Sequence, residues 1–229
     1  VNGGPMLRCV LIAVLLGGVC LNLRAETVRF YLPSLPGIYE ERDGKPAGLY
    51  ADLLQHMAGH AGVSLSMFIA SRPRIQQSMQ LQDDACSAVT LPANVPAPAG
   101  MQYVFPMGQT QAQLFTRPGD ALALSELATV TLTQQMVFGE GVASVLQQRG
   151  LPVPARSQSL QEAVAMLQGQ RIRVLFATRA ALSRLAPGTL AAGPELGALV
   201  SWFTCSVHMP PAMVQRLASA WRQVPLPRF

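Results

Sequence analysis

The sequence predicts an α/β fold, and three observations carry that prediction. Short apolar runs at 28–32, 63–69, 85–89 and 173–177 read as strands. Between them lie segments whose apolar residues recur at helical spacing, such as Leu49, Leu53, Leu54, Met57 and Ala61. Turn signals, among them Asp43-Gly44, Lys45-Pro46 and Pro118-Gly119-Asp120, punctuate the series. Half of the 229 residues are hydrophobic and 13% are charged, which excludes disorder and gives enough apolar surface for a real core.

In chain order, Met6-Leu7-Arg8 supplies a short basic start, followed by an apolar run over 9–21 and a small-residue cleavage site at Leu23-Arg24-Ala25. The run is too short to span a bilayer comfortably, so it reads as a secretory signal peptide, with residues 1–5 ahead of the true start. A lipid anchor on Cys20 is the alternative, although Val19 suits a lipobox poorly. No second apolar run of spanning length follows, and the expected product is exported and soluble. Formal charge is +5, falling to +3 without Arg8 and Arg24; the cations are scattered rather than clustered, which argues against a nucleic-acid partner.

The first strand, 28–32, leads through an open loop at 33–41 and the Asp-Gly turn into the helix that starts after Gly48. Residues 63–69 alternate as a strand, Pro73 stands near the start of a short helix ending at Asp83-Asp84, and 85–89 is a small buried strand. Strand, helix, strand, helix, strand implies parallel pairing through right-handed crossovers. Beyond the proline-rich loop 91–100, strands are expected at 111–117, 129–132 and 173–177, with a short helical start at 125–127. Phe138-Gly139-Glu140-Gly141-Val142 turns into a helix through Gln148; Ser159 caps another, and Thr178 a third that runs to Leu185. Extended chain at 198–200 and 202–208 precedes a last helix over 212–222. Cleavage of the leader leaves Cys86 and Cys205, which either pair in an oxidising compartment or remain two separate buried thiols.

Residues 43–54, Asp-Gly-Lys-Pro-Ala-Gly-Leu-Tyr-Ala-Asp-Leu-Leu, resemble the Gly-Lys-Pro-x-Gly-Phe-x-x-Asp-Leu-Leu segment of extracytoplasmic solute-binding proteins, family 3-like, related to the amino-acid-binding proteins of ABC transporters. Arg74, Met79, residues 84–89, Tyr103-Val104-Phe105-Pro106 and Pro210-Pro211-Ala212-Met213-Val214 follow in the order that family shows. The resemblance implies a two-lobed periplasmic binding protein type II-like fold with two interlobe crossings, near 108–113 and 201–204. On that frame residues 1–25 are leader, 26–110 the first lobe, 111–202 the second, and 203–229 a return to the first. Cys86 and Cys205 would then share one lobe, which makes a disulfide between them sterically reasonable.

Two departures limit what the resemblance implies about the ligand. The family's amino-acid receptors carry Thr-x-x-Arg after the third strand to clamp an α-carboxylate, whereas here Thr90 is followed by Leu91-Pro92-Ala93-Asn94. They also hold the α-ammonium with an Asp at the end of a late strand, where this chain has Thr178-Arg179. A standard amino acid is therefore not the expected ligand.

The candidate site residues are Tyr31, Tyr39, Arg74, Thr90, Gly141, Thr178 and Arg179. Tyr31 and Tyr39, with Leu35 between them, flank the loop after the first strand and would offer a face and a hydroxyl, or would simply pack the loop. Arg72 and Arg74 stand at a strand end facing the crevice and would replace the missing clamp, or would be surface residues. Gly139-Glu140-Gly141 would present backbone N–H groups to an anion, against the charge of Glu140; a plain turn is the other reading. Thr178 and Arg179 favour an anionic or neutral polar ligand, or form only a cap and an exposed cation.

His56 and His60 stand four apart on one helix without the glutamate of a zinc protease, and read as surface or satisfied histidines; His208 has no spaced partner. No nucleophile motif, phosphate loop or zinc-ligand cluster occurs, and the predicted cleft holds few carboxylates, so no catalysis, metal or cofactor is expected. The expected function is an exported, periplasmic solute-binding-like protein that closes over a small polar or anionic solute for ABC-type uptake or sensing. Its partners would be that solute and a membrane permease or periplasmic protein. The alternative is a periplasmic accessory or interaction protein that keeps the fold without a working ligand site.

Overall fold

In the computed structural model, residues 26–35 and 38–225 are described. The expected leader over 1–25, including Cys9, Cys20 and the cleavage site, lies outside the described residues, as do Pro36, Gly37 and residues 226–229.

Among the described residues the chain forms ten strands and six α-helices: β1 Thr27–Leu32, β2 Glu40–Arg42, β3 Lys45–Ala47, α1 Leu49–Ala61, β4 Ser64–Ile69, α2 Arg72–Leu81, β5 Ala85–Leu91, β6 Met101–Thr116, β7 Gln135–Val137, α3 Glu140–Gln148, β8 Ala155–Arg156, α4 Leu160–Gln168, β9 Val174–Thr178, α5 Arg179–Leu185, β10 Ala191–Ser206 and α6 Pro211–Trp221. Eight strands form one sheet in the order β4-β1-β5-β10-β6-β9-β7-β8, and β2 and β3 form a separate hairpin. The pairings β1–β4, β1–β5, β7–β9 and β7–β8 are parallel, as the strand–helix–strand order requires.

Two long strands hold the architecture together. β6 and β10 have 16 residues each and pair antiparallel from Met101–Ser206 to Thr116–Ala191, with register shifts on the way. At about 3.3 Å per residue such a strand reaches about 50 Å, enough to run through two packed units. Their side chains divide accordingly. Phe105, Met107, Phe203 and Cys205 enter one core with Val28, Phe30, Leu54 and Met57, whereas Ala112, Leu114, Leu196 and Leu199 enter another with Val142, Leu146 and Phe176.

The first lobe packs α1 and α6 on one sheet face and α2 on the other. Period-two alternation in β1 sends Val28, Phe30 and Leu32 to the first face and Tyr31 to the second. On the first face four aromatic rings stack in series, Phe30 on Phe203, Phe203 on Phe105 and Phe105 on Trp221, at 4.6–4.8 Å between centroids. Cys86 of β5 and Cys205 of β10 are register partners and are bonded, with Cα atoms 3.9 Å apart.

The opening of α1 explains residues 43–54. Asp43 and Gly44 both have positive φ (53° and 71°), the backbone of a two-residue hairpin turn between β2 and β3. Gly48, at φ 108°, then starts α1, and a Cβ there would lie 2.6 Å from the Ile38 carbonyl oxygen, so only glycine fits.

One expected strand is corrected. Residues 129–132 run from the end of one 3-10 turn, Leu124–Thr129, to the start of the next, Leu132–Gln134, and the strand is β7, which follows directly at Gln135–Val137. The threonines that suggested a strand make local bonds instead: the Thr129 hydroxyl donates to the Glu126 carbonyl, and Thr131 and Thr133 hydroxyls bond each other. The hairpin arms β2 and β3 were not expected at all, since only their turn is written in the sequence. The caps agree with expectation: Ser159 Oγ accepts from the Glu162 N–H and Thr178 Oγ1 from the Ala181 N–H.

Candidate functional site

The lobes meet where Thr90, near the end of β5, and Leu35, in the loop after β1, reach the second lobe. Helix N-termini stand at this boundary: α2 begins at Arg72 and α3 at Glu140. Gly139, at φ 99°, makes the turn into α3. Gly141, in the first turn of α3, lies against the first lobe so closely that a Cβ would run into the Thr90 carbonyl oxygen. Its φ is ordinary, so the requirement for glycine there is one of space. The carbonyl dipole of Thr90 meets the positive end of α3, a favourable arrangement. Thr90 itself is fixed by a 2.9 Å hydroxyl contact with Ser201 of β10.

Beside this contact the Glu140 carboxylate lies between two guanidinium groups, 2.5 Å from Arg156 of the same lobe and 3.5 Å from Arg72 of the other. Burial pushes the Arg72 pKa down; Glu140 opposes that shift and Arg156 reinforces it. Two cations thus share one anion, leaving a net positive charge at the edge of the interface. All three side chains are about half exposed, so each pair is worth no more than about 1 kcal/mol, and only Arg72–Glu140 acts between the lobes.

An open groove of about 450 Å³ continues along the lobe boundary. Pro92, Ala93 and Asn94 of the loop after β5 form one wall; Val145 and Gln148 of α3 and its C-cap Arg149, with β10 residues 196–198, form the other. Its size falls within the range of small-molecule sites, and its polar lining comprises two amides and one cation without a carboxylate.

Of the seven expected residues, Thr90 and Gly141 are brought together. Arg74 is exposed on the first turn of α2, two residues beyond the Arg72 that reaches Glu140. Thr178 caps α5 and pairs with Ala112 of β6, while the neighbouring Ala180 N–H donates to Thr110 Oγ1. Arg179 is turned to Glu195 of β10 at 3.2 Å. Tyr31 and Tyr39 are packed inside the first lobe. The Tyr31 hydroxyl donates to Gln82 Oε1 and its ring stacks on Phe68; the Tyr39 ring lies against Tyr50, with its hydroxyl near the Met107 sulfur. Burial drives the Tyr39 pKa well above the ordinary tyrosine value, with Tyr50 adding to the shift. The residue of that loop that does reach across is Leu35, which packs against both the first core and the second-lobe cluster of Phe115 and Leu182.

Asn94, Gln148 and Arg149 were not singled out in the sequence. Asn94 had a signal, because it belongs to the loop where the resemblance expects an Arg. Gln148 and Arg149 had none, since a helix end rich in polar residues looks like any solvated helix end. Among the described residues no group of three or more His, Cys, Asp or Glu is placed to hold a metal.

No protein-family model and no curated protein sequence matches the chain. Solved structures do. ArtJ, an arginine-, lysine-, histidine-binding protein from Geobacillus stearothermophilus, superposes with a TM-score of 0.72 at 12% identity, over 87% of this chain and 89% of that one. An amino acid ABC transporter substrate-binding protein, AbpA from Streptococcus pneumoniae, gives 0.68 at 12% identity over 86% and 88%. A histidine kinase sensor domain similar to periplasmic binding proteins gives 0.71 at 12% identity over 87% and 90%. The architecture is thus the two-lobed α/β fold of such binding proteins, as the resemblance of residues 43–54 implies. These neighbours are binding and sensor domains rather than enzymes.

Proposed function

We propose that this chain is an exported, periplasmic solute-binding-like protein that holds a small polar or anionic solute, and not a standard amino acid, between its lobes. The observation that carries this reading is the charge of the interlobe boundary: Arg149 lines a groove that contains no acid, and Arg72 and Arg156 share a single carboxylate. The groove offers a cation no carboxylate, only amide oxygens, whereas an anion has the Arg149 guanidinium together with the amide N–H groups of Asn94 and Gln148. Arg74, Thr90, Gly141, Thr178 and Arg179 complete the proposed surroundings; Tyr31 and Tyr39 act on them only through packing. The lobes are assigned as 26–110 and 111–202, with 203–229 returning to the first, and lobe closure is the signal offered to a membrane permease or a periplasmic partner. No catalytic step is assigned.

A second reading is that of an accessory or interaction protein without a working ligand site. It draws support from the direct contact of Gly141 with Thr90 and from the apolar bridge made by Leu35, both of which place the chain's own atoms between the lobes. A thermal-shift panel of small acids, phosphates, amines and sugars separates the two. Stabilisation by an acid or neutral polar compound supports the first reading. No shift across the panel, together with a co-purifying protein, supports the second; turnover of any compound contradicts both.

A further inference from the structure

Away from the lobe boundary, α1 carries a pair of groups that the proposed function does not use. The helix buries Ala51, Leu53, Leu54, Met57, Ala58 and Ala61 and leaves Asp52, Gln55, His56, Gly59 and His60 exposed. His56 and His60 stand one turn apart on that solvent face, where residues at i and i+4 have Cβ atoms about 5–6 Å apart. That spacing lets two imidazoles take adjacent positions around one ion. Neither ring has a hydrogen bond or ion pair to another described residue, so both nitrogens of each are free to ligate.

The helix beneath them is rigid in the relevant sense. Thirteen residues long, it is ended by Gly62 in the left-handed conformation and packs on both β4 and α6. The pair is therefore held at its spacing before an ion arrives, and little ordering is needed on binding. Asp52, one further turn towards the N-terminus on the same stripe, adds negative charge next to His56, which favours a cation over an anion at this face.

We infer that His56 and His60 form a two-imidazole chelate for a divalent first-row transition ion, with water completing the coordination. The ligand type suits Cu2+, Ni2+ and Zn2+ and not Ca2+ or Mg2+, which require oxygen donors. Binding follows the order Cu2+ ahead of Ni2+ and Zn2+. Because the ion ties two adjacent turns of α1 together, it stabilises the folded chain by mass action. The site is remote from Arg149 and Glu140 in sequence and element, so it stands whether or not the solute reading does.

The test titrates Cu2+ into the untagged full chain and follows calorimetry, the thermal midpoint and the nitrogen hyperfine pattern of the copper spectrum. Expected are one ion per chain, a two-nitrogen spectrum, and a midpoint rise that saturates. His56→Ala and His60→Ala should each weaken binding at least tenfold and remove the midpoint rise, while His208→Ala leaves both unchanged. Both substitutions replace exposed side chains without partners, so the variants should fold as the parent does. Equal binding by the parent and His60→Ala, or a one-nitrogen spectrum in the parent, would overturn the assignment.

Discussion

The two lobes solve the same problem by different means. In the first, one large core gathers β1, β4, β5, β6, β10, α1 and α6 around a four-ring aromatic stack, and the Cys86–Cys205 bond joins its two central strands. In the second, the sheet separates two cores of similar size, one under α3 and one under α4 and α5, and no disulfide joins its strands. Ion pairs occur in both lobes, Arg29 with Asp84 in the first and Asp120 with Arg117 and Arg173 in the second, while Glu140 receives Arg156 of its own lobe and Arg72 from across the boundary. The lesson concerns placement of rigidity. The covalent and aromatic reinforcement lies inside the first lobe, and at the boundary the exposed Arg72–Glu140 pair is an adjustable ionic contact between the lobes.

The largest expected effect breaks the first lobe. The disulfide closes a loop over 119 residues of sequence, and a loop of that length corresponds to about 4–5 kcal/mol of denatured-state entropy. Replacing both cysteines by alanine should lower the denaturant midpoint accordingly, and reductant should reproduce the loss in the parent chain but not in the variant. Leu175→Ala probes the second lobe. Leu175 is fully buried against α4 and α5, so truncation should remove about 3 kcal/mol. If the lobes unfold as one unit, both changes shift a single transition; two transitions would mean that each lobe is its own cooperative unit.

A smaller effect sharpens the contrast through pH. Tyr39 is buried in the first lobe and its folded pKa lies well above 10.0. A folded pKa raised above the unfolded one means stability is intact below the unfolded value and declines as pH rises from there towards the folded one. The chain should therefore lose stability progressively above about pH 10, and Tyr39→Phe should reduce the loss, as read from thermal midpoints across pH 9–11. The smallest effect falls on the boundary itself. Glu140→Gln removes the carboxylate shared by Arg72 and Arg156, with a cost below about 1 kcal/mol that shrinks as salt is added.

How much of this was legible in the sequence follows the same division. The first lobe was readable because its signals are local: Asp43-Gly44 and Gly48 demand special backbone, and Leu53, Leu54 and Met57 repeat at helical spacing. The strand expected at 129–132 failed because β-branched threonines fit either a ladder or hydroxyl-bonded turns, and only the partner strand decides. The length of β6 and β10 was also hidden. Pro106, Gly108 and Gly197 look like interruptions, and the register shifts that accommodate irregularity in this ladder are a property of pairing. In the site, chemistry was legible and direction was not. The loss of the two zwitterion anchors at Thr90 and at Thr178-Arg179 could be read directly. That Tyr39 would turn inward, that Leu35 would reach across, or that Arg149 would line a groove depends on how two lobes meet.

On the proposed reading the lobe boundary takes an anionic or polar solute through Arg149. The most direct test is calorimetric titration of the parent chain and Arg149→Gln with the best compound from the thermal-shift panel, alongside free arginine. Expected are saturable binding of an acid or neutral polar compound by the parent, at least tenfold weaker binding by Arg149→Gln, and no binding of arginine. Tight binding of arginine, or equal binding of the chosen compound by both chains, would contradict that reading.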